Sequence, residues 1–368
     1  MVVPIELIDT KVERLSRLAP EDVVPATEEI LPPTETATPL PPLVDGFGRR
    51  MNYMRISVTD RCNFRCTYCM PAEGVPWKPR GEILTYEELL RLVHVGTRLG
   101  IDQIRITGGE PTVRRNVVDF IRELAKIPGV RDLSMTTNGL LLPHLAQPLY
   151  EAGLRRINVS IDTLQPEKFR EVTRTGNLEH VMNGVRAAIA VGMNPVKINA
   201  VIMRGVNDED VPALAQLTVD LGVDMRYIEY MPIGVSWEEC EKHLVTGREM
   251  RERIRAAGME LEPVPPDYPE EPARYWRIKG ARGRIGFITT LSEPFCATCN
   301  RIRLTADGKL RPCLNCEDEV DLKSVLRGGG SDDDLIAVFR EAARRKWAGH
   351  QLRQHATAAN RVMSQIGG

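Results

Sequence analysis

The sequence predicts an α/β fold: an open, partial (β/α)6 TIM-like barrel with a C-terminal extension. Two observations carry this. From Phe47 onward, short apolar runs alternate with amphipathic helical stretches, giving six strand–helix units in a row. Such repetition implies a parallel sheet with right-handed crossovers. Six units are also too few to close an eight-stranded barrel. A doubly wound sheet is the alternative arrangement of the same units, and in both forms chemistry gathers at the C-terminal ends of the strands.

The strand candidates, in order, are "MRISVT", "QIRIT", "DLSMT", "RINVSI", "VKINAVI" and "MRYIEYM". Between the first two lies "TYEELLRLVHVGTRLG", which opens on a capping box formed by Thr85 and Glu88. "NLEHVMNGVRAAIAVG" follows the fourth run and "DEDVPALAQLTVDLG" the fifth. The first 44 residues differ. They hold eight of the 26 prolines, no aromatic residue, and eight acidic against three basic residues. Such a segment cannot bury enough apolar surface to offset its ordering entropy, so residues 1–44 read as a disordered leader.

The chain has 368 residues, a net charge of −1 and 42% hydrophobic content. That is enough for a large core, and it gives no global field favouring nucleic acid or membrane. No apolar run is long enough to span a bilayer, and the N-terminus lacks the order of a signal peptide. The eight cysteines cluster in close pairs and triples, which reads as ligands in a reducing compartment, hence the cytoplasm.

Three of those cysteines, Cys62, Cys66 and Cys69, follow the first strand in "DRCNFRCTYCM", with no fourth beside them. A structural zinc site normally supplies four ligands, as does an ordinary iron–sulfur site. Three thiolates can hold a cubane iron–sulfur cluster and leave one iron open to chelate an amine and a carboxylate. The second strand ends in "TGGEP", where two glycines permit close backbone approach and Glu110 adds a carboxylate suited to a cationic amine. The third strand ends in "TTNG", and the fourth in Ser160 and Asp162. Polar groups therefore converge on one rim. Near the C-terminus, Cys296, Cys299, Cys313 and Cys316 are spaced C-x2-C-x13-C-x2-C. On spacing alone this is close to a zinc ribbon. Arg301 and Arg303 lie beside it, which a purely structural zinc does not require.

C-x3-C-x2-C after the first strand, with GGE after the second, resembles the radical S-adenosylmethionine enzymes. C-x2-C-x-R-x-R with a later cysteine, together with "SVTDRCNFRCTYCMP", "IRITGGEPTVRR", "LRRINVSIDTL" and a closing "GG", is similar to the GTP 3′,8-cyclase family, over about Phe47 to Gly368. The resemblance implies a lyase that opens molybdenum-cofactor (molybdopterin) biosynthesis. A 5′-deoxyadenosyl radical takes the ribose 3′ hydrogen of GTP, and C3′ then joins C8 of guanine to give a cyclised dihydro-GTP.

It implies two [4Fe–4S] clusters, the first on Cys62, Cys66 and Cys69 and the second on Cys296, Cys299 and Cys313, with Cys316 a spare thiol. S-adenosylmethionine contacts fall on Tyr68, Gly109, Ser160 and Met231. GTP contacts fall on Arg55, Arg105, Thr136, Lys197, Arg301 and Arg303, and Gly367-Gly368 forms a tail that reaches into the site. The domains implied are a barrel core over residues 45–245 and a C-terminal region over 246–368 carrying the second cluster. Partners beyond GTP and S-adenosylmethionine are an electron donor and a downstream enzyme forming a cyclic pyranopterin. No nucleic acid or membrane is expected, and the chain is a monomer or homodimer. The alternative is a radical S-adenosylmethionine enzyme that modifies a peptide and uses the C-terminal cluster as an auxiliary one.

Overall fold

A computed structural model describes residues 40–352 and 361–367. Most of the expected leader (1–39) and Gly368 lie outside the described residues. The described chain is already packed before the expected leader boundary at Val44. Leu40 N and Leu43 N donate to Arg98 O and Leu99 O, both at 2.9 Å, and Leu43 is 2% exposed. The prolines at 41 and 42 have no N–H to leave unsatisfied, so this extended piece can lie against the end of a helix.

The six expected strands are β1 (Tyr53–Ser57), β2 (Gln103–Thr107), β3 (Asp132–Thr137), β4 (Arg156–Ser160), β5 (Val196–Ile202) and β6 (Asp224–Glu229). They pair in chain order and all in parallel. The crossovers carry helices α1 (Tyr86–Arg98), α2 (Val117–Lys126), α3 (Leu142–Glu151), α4 (Pro166–Thr173), α5 (Leu178–Ala190) and α6 (Val211–Asp220). Thr85 and Glu88 form the expected capping box at the start of α1, whose Leu89, Leu92, Val93 and Val95 face the core.

The C-terminal residues lengthen this sheet at both edges. After α7 (Trp237–His243) and α8 (Gly247–Ala256) come β7 (Leu261–Val264), β8 (Arg274–Ile278) and β9 (Ile285–Ile288). Strand β9 pairs parallel with β6. The chain then crosses to the opposite edge, where β10 (Arg301–Leu304) pairs parallel with β1, followed by β11 (Lys309–Arg311) and β12 (Val320–Asp321). Helices α9 (Leu322–Arg327) and α10 (Asp332–Arg344) complete the chain before its tail. The result is one open twelve-stranded sheet, ordered β12-β11-β10-β1-β2-β3-β4-β5-β6-β9-β8-β7. Both edges of the six-stranded core would otherwise expose unpaired backbone groups. No helix among the described residues is long and apolar enough to cross a membrane.

Beyond its C-terminal end, β1 continues as a loop laced to the turn after β2. Val58 N donates to Thr107 O at 3.0 Å, Gly109 N to Thr59 O at 2.7 Å, and Glu110 N to Arg61 O at 2.7 Å. A Cβ on Gly109 would lie 2.3 Å from Arg61 O and 2.6 Å from Arg61 C, so only glycine permits this approach. The loop so fixed is the one that carries Cys62. Gly109→Ala is expected to destabilise the protein by about 2 kcal/mol. It should also reduce iron loading on the first cysteine triple more than on the second, as read by denaturant unfolding and iron content of single-triple variants. Parental stability and loading would show that the glycine serves neither.

Candidate active site

Cys62, Cys66 and Cys69 are free, half-buried thiols. Their loop is held by backbone bonds: Cys69 N to Cys66 O at 2.9 Å, Arg65 N to Thr173 O at 3.0 Å and Thr67 N to Val172 O at 2.9 Å. Two guanidiniums cap its outward carbonyls. Arg65 donates to Cys62 O at 2.6 Å, and Arg174 to Arg65 O and Met70 O at 2.8 and 3.1 Å. Phe64 N lies 3.4 Å from Cys62 Sγ, an N–H positioned for a thiolate. Burial pushes the Cys62 and Cys69 thiols up to about 12 and Cys66 up as well. A cationic metal centre reverses that preference, because it binds thiolate. Three preorganised thiols with no fourth beside them fit a cluster with one open iron.

Glu110 is not free to meet an amine. It is 1% exposed, and its oxygens accept from Thr112 N at 3.1 Å, Thr137 Oγ1 at 2.6 Å and Asn138 N at 2.6 Å. Its carboxylate ties the second and third rim loops together. Tyr68 donates to Asp162 Oδ2 at 3.0 Å, and Val201 N donates to Asp162 Oδ1 at 2.8 Å. Burial raises Asp162 to about 6.

Beside this loop a cavity opens, with about 1800 Å³ of empty space including its mouth. Arg55, Arg105, Thr136, Lys197, Arg301 and Arg303 all line it, as do Tyr68, Ser160 and Met231. Gly109 is outside that lining, with its backbone packed against Arg61. Sheet register explains the convergence. Arg303, Arg55 and Arg105 are direct partners on β10, β1 and β2, so three guanidiniums stand in one row. Among the described residues, no ion pair reaches Arg105, Arg301 or Arg303. Arg301 Nε and Nη2 are buried without a hydrogen-bond partner. Burial, then the charge of Arg301, brings Arg303 down to about 10. Lys197 is 1% exposed, 3.5 Å from Glu271, 3.7 Å from Asp224 and 3.3 Å from Tyr275 Oη. Burial, then Arg226, lowers it to about 8. Like charges packed this densely favour an anion among them.

The second cysteine group meets the same cavity. Cys296, Cys299 and Cys313 line it, whereas Cys316 does not. Asn315 N lies 3.4 Å from Cys313 Sγ. Burial pushes Cys299 up, but Arg301 and Lys346 outweigh it and hold the thiol at about 7. A hydrogen bond from the Cys316 thiol lowers Cys313, with help from Lys346. Cys316 is 1% exposed, its Sγ 3.5 Å from Cys313 O. Among the described residues, no three Cys, His, Asp or Glu side chains converge as ligands of a single metal ion. With Cys296, Cys299 and Cys313 facing the cavity and Cys316 turned from it, the four cysteines are not equivalent. This arrangement fits a three-thiolate cluster backed by a buried thiol.

The tail lies between these parts. Met363 lines the cavity, Ser364 neighbours Cys69, and Arg303 donates to Gly367 O at 2.8 Å. A Cβ on Gly367 would stand 2.6 Å from Thr107 Oγ1, and its φ is +70°, so glycine is required there twice over. Arg361 anchors the tail on Asp307 and Glu319, at 3.1 and 2.6 Å. Sequence reasoning did not single out Arg156, Arg226 and Lys346, which also line the cavity. Arg156 and Arg226 carried a usable signal, since each is the cation within a strand run, as Arg55, Arg105 and Lys197 are.

The folded chain releases the Lys197 proton at about 8, whereas the unfolded chain keeps it to 10.5. Lys197 therefore adds stability as pH rises through this window. The same loss of charge weakens anion binding. Inorganic tripolyphosphate should bind about tenfold more weakly at pH 9.5 than at pH 7, the ~1.5 kcal/mol of one charge-assisted hydrogen bond. Lys197→Met should flatten the calorimetric profile. An equally steep profile in that variant would remove Lys197 from the anion site.

Residues 56–218 match the Radical SAM superfamily and residues 223–352 match Molybdenum Cofactor Synthesis C. The chain is 46% identical to the GTP 3′,8-cyclase of Heliobacterium modesticaldum, over 89% of this chain and 100% of that protein. It is 48% identical to the GTP 3′,8-cyclase of Moorella thermoacetica, over 88% of this chain and 99% of that protein. A crystal structure of Streptococcus suis SuiB bound to S-adenosylmethionine superposes with a TM-score of 0.54 at 16% identity, covering 78% of this chain and 67% of that one. That likeness concerns the fold. The two matched regions together with full-length identity near one half settle the family: the chain is a member of the GTP 3′,8-cyclase family of radical S-adenosylmethionine enzymes.

Proposed function

We propose that this chain cyclises GTP to (8S)-3′,8-cyclo-7,8-dihydroguanosine 5′-triphosphate, using two [4Fe–4S] clusters and S-adenosylmethionine, as the first step of molybdenum-cofactor biosynthesis. One observation carries the reading: a single cavity joins the row Arg303, Arg55, Arg105 to the second cysteine triple. A triphosphate is the anion whose charge matches that row, and arginine offers it bidentate geometry.

Cys62, Cys66 and Cys69 would hold the first cluster, and Cys296, Cys299 and Cys313 the second. When bound, the first cluster with S-adenosylmethionine supplies one-electron cleavage at the sulfonium, and the second supplies an open iron for the guanine base. The remaining work belongs to the chain. Arg55, Arg105, Lys197 and Arg303 bind the triphosphate, with Thr136 beside them on the neighbouring strand. Arg301 keeps two buried N–H groups available to the nucleotide. Tyr68, Ser160 and Met231 wall the S-adenosylmethionine side, and Asp162 fixes the tyrosine. Tail residues Met363 to Gly367 exclude water from the space between the two cysteine triples. Further partners are an electron donor and an enzyme that converts the cyclised nucleotide to a pyranopterin.

The test is anaerobic incubation with GTP, S-adenosylmethionine and dithionite, followed by product mass and iron content. The parent should hold about eight irons per chain and form the cyclised nucleotide. Cys313→Ala should lose the second cluster and turnover, whereas Cys316→Ala should keep the iron and most of the product. Equal loss in both would mean that Cys316 is a ligand, and would overturn the open-iron assignment at the second site.

A further inference from the structure

Two buried cations tie the second cysteine group to one short segment, Lys346–Ala348, just after α10. Arg49 donates to Cys296 O at 2.6 Å, Trp347 O at 2.5 Å and Ala348 O at 2.9 Å. Its charge is matched by Asp45 at 2.6 Å. Lys346 differs. It is 4% exposed and donates to Arg301 O at 2.7 Å and Pro312 O at 2.6 Å. Those carbonyls belong to the two segments that carry Cys299 and Cys313. Among the described residues no ion pair neutralises Lys346, although it lines the cavity.

A lysine buried without a carboxylate is costly unless something negative stands nearby. Two carbonyl dipoles satisfy two of its three N–H donors but cancel no charge. The groups that could be negative beside it are the thiols of Cys299, two residues before Arg301, and Cys313, next to Pro312, which line the same cavity. We infer that Lys346 is a positioning residue for the second cluster: it pins the two cysteine segments to each other, and its ammonium compensates cluster charge, raising the reduction potential. This rests on Cys296, Cys299 and Cys313 holding a second cluster. A cluster bound by three thiolates gains a negative charge when reduced, so a fixed cation beside it stabilises the reduced form most. Arg49, already neutralised by Asp45, supplies geometry without that net charge.

The experiment compares parent, Lys346→Met and Lys346→Arg as anaerobically reconstituted proteins. Readouts are iron content and redox-poised electron paramagnetic resonance. Adding S-adenosylmethionine identifies the first-cluster signal. In Lys346→Met the reduced-to-oxidised ratio of the second cluster at fixed potential should fall about tenfold, 59 mV for one electron. The first cluster should not move, and Lys346→Arg should keep the parental ratio. Selective loss of four irons in Lys346→Met, restored in Lys346→Arg, supports the pinning role equally. If Lys346→Met does not fold, Lys346→Gln carries the same test with donors kept and charge removed. A parental ratio with full iron in the uncharged variant overturns the inference. So does a shift of both clusters together, or an equal defect in Lys346→Arg. About four irons in the parent itself would instead overturn the second-cluster reading on which the inference stands.

Discussion

The arrangement depends on one repulsion. Parallel pairing of β10 with β1 and of β1 with β2 sets Arg303, Arg55 and Arg105 side by side, on strands about 4.8 Å apart. Burial lowers the pKa of all three, and neighbouring charges, Arg303 on Arg55 foremost, deepen the effect there. A fold selected for stability alone would not stack guanidiniums in its interior. Two of them are held by partial measures: Arg105 by Ser134 Oγ at 3.1 Å and the Tyr53 ring, Arg303 by the carbonyl of Gly367. These dipoles orient Arg105 and Arg303 without neutralising them. The field that remains is what a polyanionic substrate would complete.

The same logic separates the two cysteine groups. The first triple lies on a loop whose nearby arginines point at backbone carbonyls, and burial dominates its thiols. Around the second, Arg301 and Lys346 favour thiolate outright at Cys299. One group is thus fixed mainly by backbone geometry and the other largely by charge. Cys316 belongs to neither surface: it is buried behind Cys313, where its thiol can donate but does not face the cavity. The tail links the two regions physically, from Ser364 beside Cys69 to Gly367 under Arg303.

Much of this was legible in the sequence. The short apolar runs and the amphipathic stretch from Tyr86 to Arg98 are local signals, and the structure has all six strands in the expected order. The cysteine spacings are local too, since the chain itself keeps Cys62, Cys66 and Cys69 close whatever the rest of the fold does. Lys197 stood out because a lysine inside "VKINAVI" contradicts its surroundings.

Tertiary structure decided everything that depends on pairing between distant segments. That β9 and β10 would extend opposite edges of the same sheet had no signal in either strand, because edge choice is settled by which unpaired backbone each reaches. Glu110 reads as a free carboxylate until Thr137 and Asn138 arrive from the next loop to occupy it. Gly109 gives no local sign of its close packing against the Asp60–Arg61 backbone. Lys346 looks like one more base in "EAARRKWAG", and only folding brings it onto the carbonyls of Arg301 and Pro312. The sequence by itself determined the six core strands, the helices between them and which residues could bind metal. The fold determined which charges face one another, because burial and neighbours at a few ångströms set the energy of a charge, and residues far apart in the chain become such neighbours only once it has folded.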